Sequence, residues 1–339
     1  MREVDLSKFS IRTDLVTDII ENNDKALVSE DIYTYKDIKV SNIVLDEDQA
    51  KEINKSAGRY TTIYFNDITD SSNYANLKEV FVKELKKYIN KDNVLVIGLG
   101  NDKSTPDAVG PKTLDIIKST KHIYDLYGSL EDGFSIVSKI TPGVMGETGI
   151  ETGDIIYSIV KDVKPSLIIV IDALASGSIE RVCKTIQITD TGINPGSGVG
   201  NLRKEISSDV LGVPVIAIGI PTVVDATTIV LDTINFMSKH FSYNLKNKDV
   251  LSNKLIPSNM LNYNKYDIPG LNKEEESFFL GAFGSLSNFE KKALILDVLT
   301  PVGYNLIVTP KEIDFDILNL SKLIGESINL VLHPFLSTK

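Results

Sequence analysis

The stretch Asn93-Val-Leu-Val-Ile-Gly-Leu-Gly100 decides the fold class of this chain. A short apolar run that ends in glycines is typical of a parallel strand buried on both faces, followed by a turn. A second run of this kind, Leu167-Ile-Ile-Val-Ile171, lies farther along, and further strands are expected at 135–140, 185–188 and 213–220. Helical patterns separate these strands. The alternation predicts an α/β protein with a mostly parallel sheet that is covered by helices on both faces.

The segments on either side of this core have different patterns. Residues 26–66 alternate apolar and polar positions, as hairpin strands at a sheet edge do, and a helix is expected over 77–89. Residues 241–275 are rich in Asn, Lys and Tyr, which predicts a surface excursion. The expected organisation is a β-rich segment with a helix at 15–90, an α/β core at 91–240, the excursion at 241–275 and a helical region at 276–339.

Composition narrows the classes of function. The 339 residues are 42% hydrophobic and 24% charged, which is ordinary for a globular protein and excludes general disorder. The single cysteine, Cys183, excludes an intramolecular disulfide framework and a Cys-rich zinc site. Because the chain has only three histidines, few His-based metal sites are possible, and we expect no metal and no other cofactor. A net charge of −10 argues against binding nucleic acid by neutralising many phosphates.

The sequence shows no signal for secretion or for membrane insertion. Charged residues are spread through positions 1–18, so this segment has no apolar signal-peptide core. The longest apolar candidate, 211–224, contains Pro214 and Pro221 and is better explained as a buried strand with its exit loop. We therefore expect a cytoplasmic protein that does not associate with membranes.

Two aspartates follow predicted strands, at the edge of the sheet where open α/β proteins bind ligands. Asp107 lies in the loop after the strand at 93–98, and Asp172 directly follows Ile171. A helix that begins with Thr105 as its cap would explain Asp107 equally well, and an Asx turn would explain Asp172. If the two strands are neighbours, the like charges separate the two pKa values and provide an acid and a base in one site. Such a pair either activates water on an amide carbonyl or holds a cation.

A glycine-rich loop, Pro195-Gly-Ser-Gly-Val-Gly-Asn201, is a weaker candidate. Its glycines let backbone N–H groups approach an anion or a peptide carbonyl closely. It lacks the Gly-Lys-Ser/Thr end of a phosphate-binding loop, and a flexible surface loop is the open alternative.

Eight motifs in this order resemble the germination protease family of endospore-forming bacteria, most strongly over residues 94–230. They are Asp5-Leu-Ser-Lys-Phe-Ser-Ile-Arg-Thr-Asp-Leu15, Thr105-Pro-Asp-Ala-Val-Gly-Pro111, Pro142-Gly-Val-Met-Gly146, Thr148-Gly-Ile-Glu-Thr-Gly-Asp-Ile-Ile156, Ile171-Asp-Ala-Leu-Ala175, Ser178-Ile-Glu-Arg181, Pro195-Gly-Ser-Gly-Val-Gly-Asn201 and Pro221-Thr-Val-Val-Asp-Ala226.

The resemblance implies a protease made as a zymogen in the forespore. Members remove a short N-terminal propeptide by self-cleavage and, in the germinating spore core, cut the small acid-soluble proteins that coat spore DNA. They are homotetramers with an α/β fold similar to the hydrogenase-maturation proteases, and they need no direct contact with nucleic acid or membrane. Cleavage in the family follows an acidic residue that precedes an apolar one. In this chain that places the processing site between Asp14 and Leu15, so the expected propeptide is 1–14.

The resemblance also assigns roles to residues already singled out. The catalytic aspartates proposed for the family match Asp107 and Asp172. The maturation proteases hold a metal with two carboxylates and a histidine, but Asn194 occupies the loop in which a third ligand would be expected. A metal-free dyad of one general base and one general acid is therefore favoured, with the two roles unassigned. The loop residues expected to bind the oxyanion or the substrate backbone are Gly196, Ser197, Gly198, Gly200 and Asn201.

Two other readings of the sequence are possible. A nucleoside phosphorylase or hydrolase would share this kind of sheet and use the glycine-rich loop to bind phosphate or nucleoside. A binding protein for small basic or DNA-coating proteins would form stable complexes without cleaving them.

Overall fold

The computed structural model describes residues 13–21, 28–90, 92–195, 203–246, 269–299 and 306–335. The chain divides into two compact units. The larger comprises residues 11–224 and 308–339, and the smaller comprises residues 1–10 and 225–307. The domain boundaries expected from the sequence, at residues 90, 240 and 275, stay predictions.

A sheet of parallel and antiparallel strands runs through the larger unit. Its strands are β1 (Glu30–Tyr35), β2 (Ile38–Leu45), β3 (Gly58–Tyr64), β4 (Asn93–Gly98), β5 (Ile136–Ile140), β6 (Leu167–Ser176), β7 (Thr185–Thr189) and β8 (Val215–Asp225). Their order is β1-β2-β3-β7-β8-β6-β4-β5. Strands β5, β4, β6 and β8 pair in parallel, whereas β1, β2, β3 and β7 pair antiparallel, as do β7 and β8. The α/β class and its parallel core are confirmed, and the hairpin strands predicted within 26–66 form the antiparallel end of the same sheet.

Helices connect most of these strands. They are α1 (Val16–Glu21), α2 (Glu47–Glu52), α3 (Ser71–Leu85), α4 (Val109–Ile116), α5 (Lys121–Tyr127), α6 (Met145–Thr148), α7 (Thr152–Val163), α8 (Ser208–Leu211), α9 (Ala226–Lys246), α10 (Lys273–Leu280), α11 (Ala282–Ser285), α12 (Asn288–Leu299) and α13 (Ile313–Leu332), with a short strand β9 (Ile307–Val308) before the last. Single 3-10 turns lie at Thr105–Asp107 and Ile179–Arg181. None of the described helices combines the length and the apolar character needed to cross a membrane.

Strand β4 shows why the core sequence is apolar at every position. Leu95 and Ile97 pack in one cluster with Ile156 of α7 and with alternate residues of β6. Gly98, on the other face, lies against Gly110 and Leu114 of α4. Side chains of successive strand residues point to opposite faces, so helices on both sides bury the whole run. The expectation of helices on both faces is met in this part of the sheet.

Gly110 lets the start of α4 approach the sheet. A Cβ atom at this position would lie 2.2 Å from the carbonyl oxygen of Leu99 and 2.8 Å from that of Ile171. No larger residue fits there without moving backbone. The loop between β4 and α4 is therefore held above the ends of β4 and β6.

The segment before β1 is also packed into the larger unit. Val16 of α1 is fully buried in a cluster with Ile43, Leu45, Ala50 and Tyr60, which come from β2, α2 and β3. This apolar contact fixes the position of residues 13–15, which directly precede α1.

Two local expectations are wrong. Strand β6 does not stop at Ile171 but continues to Ser176, because β8 extends alongside it and pairs as far as Ser176 with Val224. Asp172 therefore lies within the strand. Thr105 is not a helix cap: it opens a 3-10 turn, and α4 begins after Ala108 without a side-chain capping bond.

The smaller unit is helical where it is described. Helix α9 packs beside α12. Leu271, just before α10, donates its N–H to Ser238 Oγ of α9 at 2.9 Å, and Phe241 stacks on Phe279 with ring centroids 5.3 Å apart. Much of the predicted excursion at 241–275 lies outside the described residues, but α9 continues into it as far as Lys246 and α10 begins within it.

Candidate active site

Asp172 lies where strand β6 extends beyond the end of its neighbour β4. The pairing of these parallel strands ends with Gly98 opposite Ile171, and the N–H of Leu99 donates to the carbonyl oxygen of Ile171 at 2.8 Å. Asp172 is the next residue. Its side chain is only 6% exposed, and its Oδ1 accepts the N–H of Ala173 at 2.9 Å. The condition set by the sequence is met, since the strands that precede Asp107 and carry Asp172 are neighbours.

Asp107 is held by the tight turn that follows β4. Gly100 has φ of +105°, and a Cβ atom on it would lie 2.0 Å from the carbonyl oxygen of Asp107 and 3.1 Å from Oδ1. The N–H of Asn101 donates to the Asp107 carbonyl at 3.1 Å, and the N–H of Asp107 donates to Ser104 at 2.8 Å. These contacts fix the backbone of Asp107, whose half-buried carboxylate lies in the loop after the carboxyl end of β4.

The two carboxyl groups differ in their readiness to ionise. Burial raises the pKa of Asp107 to about 6. The pKa of Asp172 is raised well above its usual value, first by burial and then by the negative charges of Asp107 and Asp14. Both carboxyl groups therefore hold a proton more readily than an ordinary aspartate does. Such a pair is able to take a proton at one point and deliver one at another.

The third carboxylate of this site, Asp14, comes from the N-terminal segment. Its backbone N–H donates to the carbonyl oxygen of Ala175 at 3.1 Å, and its Oδ2 accepts the N–H of Ala175 at 2.9 Å. Leu15, the next residue, is fully buried, and the N–H of Val16 donates to Gln187 Oε1 at 3.0 Å. The segment around the predicted processing bond thus lies along the end of β6, beside Asp172.

Lys55, which the sequence does not single out, contacts the same segment. Its Nζ donates to the backbone carbonyl oxygen of Asp14 at 3.1 Å. The side chain is half-buried, and burial lowers the pKa of Lys55, although the charges of Asp14 and Asp18 act in the opposite direction. No motif marks this lysine, since its partner is distant in sequence.

Asp18 anchors the far side of the segment. Its buried carboxylate accepts the N–H of Gly177 at 2.6 Å and the hydroxyl of Thr13 at 2.5 Å, and it forms an ion pair with Arg181. The hydroxyl of Ser176 adds a longer contact at 3.4 Å. Sequence reasoning missed this network, although Arg181 belongs to one of the quoted motifs.

Part of the predicted site falls outside the described residues. These are Gly196, Ser197, Gly198, Gly200 and Asn201. The loop that holds them is closed at its base by paired hydrogen bonds between Ile193 and Ile206, of 3.0 and 2.9 Å. In the described part of the chain, no group of three or more His, Cys, Asp or Glu side chains is arranged to hold a metal ion.

Comparison with known proteins decides the family. A family model described as "Germination protease" matches residues 13–339. The chain belongs to the germination protease family. It is 46% identical to a germination protease of Priestia megaterium, over 98% of this chain and 96% of that protein. Germination proteases of Oceanobacillus iheyensis and Bacillus cereus are 46% and 42% identical, over 96% and 97% of this chain and 95% of each relative.

One solved structure is also similar. It is a [NiFe] hydrogenase maturation protease, HycI, from Thermococcus kodakarensis KOD1, with 17% identity and a TM-score of 0.28. The alignment covers 41% of this chain and 80% of that one.

Membership of the germination protease family confirms the resemblance seen in the sequence motifs. The chain is a hydrolase of peptide bonds with a role in spore germination. The nucleoside phosphorylase alternative is not favoured. The catalytic roles of Asp107 and Asp172 and the processing of Asp14-Leu15 stay predictions.

Proposed function

We propose that this germination protease is a zymogen that cleaves its own chain between Asp14 and Leu15 and then cleaves small acid-soluble spore proteins with the same pair of carboxyl groups, Asp107 and Asp172. The observation that carries the proposal is the position of Asp14. Its charge acts on Asp172, and its backbone is hydrogen-bonded to Ala175, three residues farther along the same strand. This position near Asp172 supports cleavage of the bond that follows Asp14.

The surroundings of the two carboxyl groups support one assignment of the two roles. Asp107, whose pKa is raised to about 6, is ionised at neutral pH and acts as the general base. Asp172 is more deeply enclosed and faces two other carboxylates, so it retains its proton and acts as the general acid.

Each step of the proposed hydrolysis accounts for its protons. Asp107 takes a proton from water as the water oxygen bonds to the carbonyl carbon of Asp14, and the carbonyl electron pair moves onto oxygen. When the tetrahedral intermediate collapses, the C–N bond breaks and the nitrogen of Leu15 receives the proton of Asp172. The products are a new amino group on Leu15 and a carboxylic acid on Asp14, which keeps the second proton of the water and then loses it to solvent. The proton held by Asp107 returns to Asp172, directly or through solvent, and restores the starting state. No metal is required.

The docked segment also accounts for latency. Thr13 and Asp14, which the cut would release, occupy the surface at the end of β6 that an incoming substrate would need, and both are hydrogen-bonded to Ala175. Until the bond after Asp14 is cut, other substrates are excluded. An acidic residue followed by an apolar one is the pattern that the same surface is proposed to accept from spore proteins.

The proposed assembly and cellular location are those expected for a member of this family. The enzyme is proposed to assemble as a homotetramer in the forespore and to act in the spore core. Its charge of −10 suits an enzyme that degrades a protein coat without itself binding the nucleic acid beneath it.

Intact-mass spectrometry tests this function directly. Wild type, Asp107→Asn and Asp172→Asn are incubated alone and with a small acid-soluble spore protein, with and without a chelator. We expect wild type alone to lose residues 1–14 and to cut the spore protein after acidic residues, unaffected by the chelator. The matched control is Asp102→Asn, since Asp102 is exposed in the same loop. Full cleavage by either site variant would remove that aspartate from the mechanism, and inhibition by the chelator would replace the dyad with a metal site.

A further inference from the structure

We propose that Lys55 is a catalytic residue that binds the oxygen of the scissile carbonyl and stabilises the oxyanion formed there. The inference rests on the proposed cleavage after Asp14. It starts from one contact: the ammonium Nζ of Lys55 donates to the carbonyl oxygen of Asp14 at 3.1 Å. That oxygen belongs to the carbonyl that water attacks in the proposed reaction.

The backbone around Lys55 aims its side chain. Ile53, at the end of α2, is buried, and Asn54 adopts a left-handed conformation with φ of 53°. The N–H of Lys55 then returns to the carbonyl of Ala50 at 2.9 Å. This closed turn fixes the direction of Lys55 relative to β2 and β3, on which α2 packs. The cation thus comes from a different element than the loop of Asp107 and the strand of Asp172.

The partner of Lys55 is unusual for a lysine that is half-buried. Among the described residues its ammonium group hydrogen-bonds to a neutral carbonyl, while the nearby carboxylates of Asp14 and Asp18 attract it at longer range. A hydrogen bond to a neutral carbonyl offsets only a small part of the free energy that it costs to desolvate a cation. A hydrogen bond to the oxyanion of a tetrahedral intermediate offsets much more of this cost, because a charge-assisted hydrogen bond in a water-poor site strengthens as charge develops. The contact is therefore stronger in the transition state than in the ground state.

Lys55 adds one element to the reaction and leaves its balance unchanged. As the water oxygen bonds to the carbonyl carbon of Asp14, the electron pair of the carbonyl moves to the oxygen that faces Nζ. Lys55 keeps its proton, and its ammonium group stabilises the negative charge on the oxygen through the hydrogen bond. When the pair returns and the C–N bond breaks, the proton for Leu15 still comes from Asp172.

A purely structural role makes a different prediction. If Lys55 only anchors the N-terminal segment, its removal slows cleavage by releasing residues 13–18 from the site. If it stabilises the oxyanion, cleavage slows while the segment remains docked. Rate and docking must therefore be measured separately.

The rate is measured on the full chain as self-cleavage between Asp14 and Leu15, by intact mass against time. We expect Lys55→Met to slow cleavage by about 100-fold to 1,000-fold, the usual loss for one oxyanion donor. Lys55→Arg keeps the charge and should recover at least about 10-fold of that loss, as expected for a charge-assisted donor. The matched control is Lys51→Met, on the helix that precedes Lys55, since Lys51 is exposed and, among the described residues, forms ion pairs with Glu47 and Asp48 on its own helix. It should cleave as fast as wild type.

Docking is measured by hydrogen exchange of the amides of residues 13–18 in chains that do not cleave, Asp107→Asn and Asp107→Asn with Lys55→Met. We expect the same protection in both. Loss of protection in step with the loss of rate would reduce Lys55 to an anchor, and a Lys55→Met chain that cleaves at the wild-type rate would remove it altogether. If wild type does not cut after Asp14, the proposed function and the role of Lys55 are both wrong. If wild type cuts normally, and Lys55→Met either loses protection in step with rate or cleaves at the wild-type rate, only the role of Lys55 is wrong.

Discussion

Replacing Arg181 with methionine should release the N-terminal segment from the site. Arg181 is the cation that faces the fully buried carboxylate of Asp18, and its own side chain is only 13% exposed. Methionine retains most of the apolar stem, so the change removes the charge and its hydrogen bonds but little packing. Other donors to Asp18 remain, among them the N–H of Gly177 and the hydroxyls of Thr13 and Ser176.

The magnitude follows from the environment of that carboxylate. Removing one partner of a buried ion pair costs about 3–5 kcal/mol, and we expect the lower end because other donors to Asp18 remain. The segment is otherwise held by the burial of Leu15 and Val16, each contributing about 1.5–3 kcal/mol before the cost of ordering the backbone. A loss of about 3 kcal/mol is comparable with what docks the segment, so Arg181→Met should undock residues 13–18 rather than unfold the protein.

Hydrogen exchange in an Asp107→Asn background, where the chain stays whole, measures this effect. The N–H of Leu15 donates to Thr13 Oγ1 and that of Val16 to Gln187 Oε1, so both amides report docking. We expect about 100-fold faster exchange of these amides in Arg181→Met, which corresponds to about 3 kcal/mol. Arg203→Met is the control, since Arg203 forms a more exposed pair with Glu151 at 3.3 Å and its loss should leave the segment docked.

A double variant separates the charge from the contact. Adding Asp18→Asn to Arg181→Met removes the buried charge that the single variant leaves without its cation, so the double variant should exchange more slowly than Arg181→Met alone. Exchange in Arg181→Met within threefold of its parent, or a double variant that simply adds the two single effects, would show that this ion pair does not hold the segment.

Further predictions concern the carboxyl pair and its support. Self-cleavage should slow about tenfold for each pH unit below about 6, because protonation removes Asp107 as the base, and a rate that is flat from pH 7 to pH 4 would contradict this role. Asp172→Asn should abolish cleavage and raise the Tm at neutral pH. The unfolded chain ionises this carboxyl at neutral pH, whereas burial in the fold disfavours its ionisation, so Asp172 costs stability there and asparagine, which does not ionise, removes the cost; an unchanged or lower Tm in a thermal scan would contradict the burial argument. Gly110→Ala should cost about 1–3 kcal/mol or more in a denaturant titration, because its Cβ meets the backbone of Leu99 and Ile171, whereas Gly146→Ala, with open space around it, should be near neutral. For cleavage of a spore protein in trans, the kcat/KM of the processed enzyme should begin to fall at a lower alkaline pH than the rate of self-cleavage, since kcat/KM reports the free enzyme; pH–rate profiles of the two reactions measure this, and coincident limits would contradict it.

The sequence predicted the parallel core because its signal is local. A run such as 93–98, with apolar residues at every position, has few alternatives to a strand covered on both faces. The same runs do not determine which strands are neighbours. Only the structure places β6 next to β4 and so brings Asp107 and Asp172 to one end of the sheet.

The remainder of the site was hidden by distance along the chain. Asp18 and Arg181 are 163 residues apart, and Lys55 lies 41 residues from the carbonyl it contacts. Each is an ordinary charged residue in its own local pattern, and nothing in that pattern indicates its partner. The extension of β6 to Ser176 was missed for a related reason, since it depends on pairing with β8 and not on hydrophobicity.

The difference expected between the two pH profiles follows from the charge of Asp14. In the intact chain the carboxylate of Asp14 is one of two negative groups that raise the pKa of Asp172 and keep it protonated as an acid. The proposed cleavage lets residues 1–14 leave and creates an α-ammonium group on Leu15, which is buried where the bond was cut. Both changes favour the ionised form of Asp172 and lower its pKa. The free processed enzyme should therefore lose its general acid at a lower pH than the zymogen, and a bound substrate whose carboxylate takes the place of Asp14 should reverse this change. An acidic residue before the cleaved bond would then do more than fit the site: it would restore the proton on which its own cleavage depends.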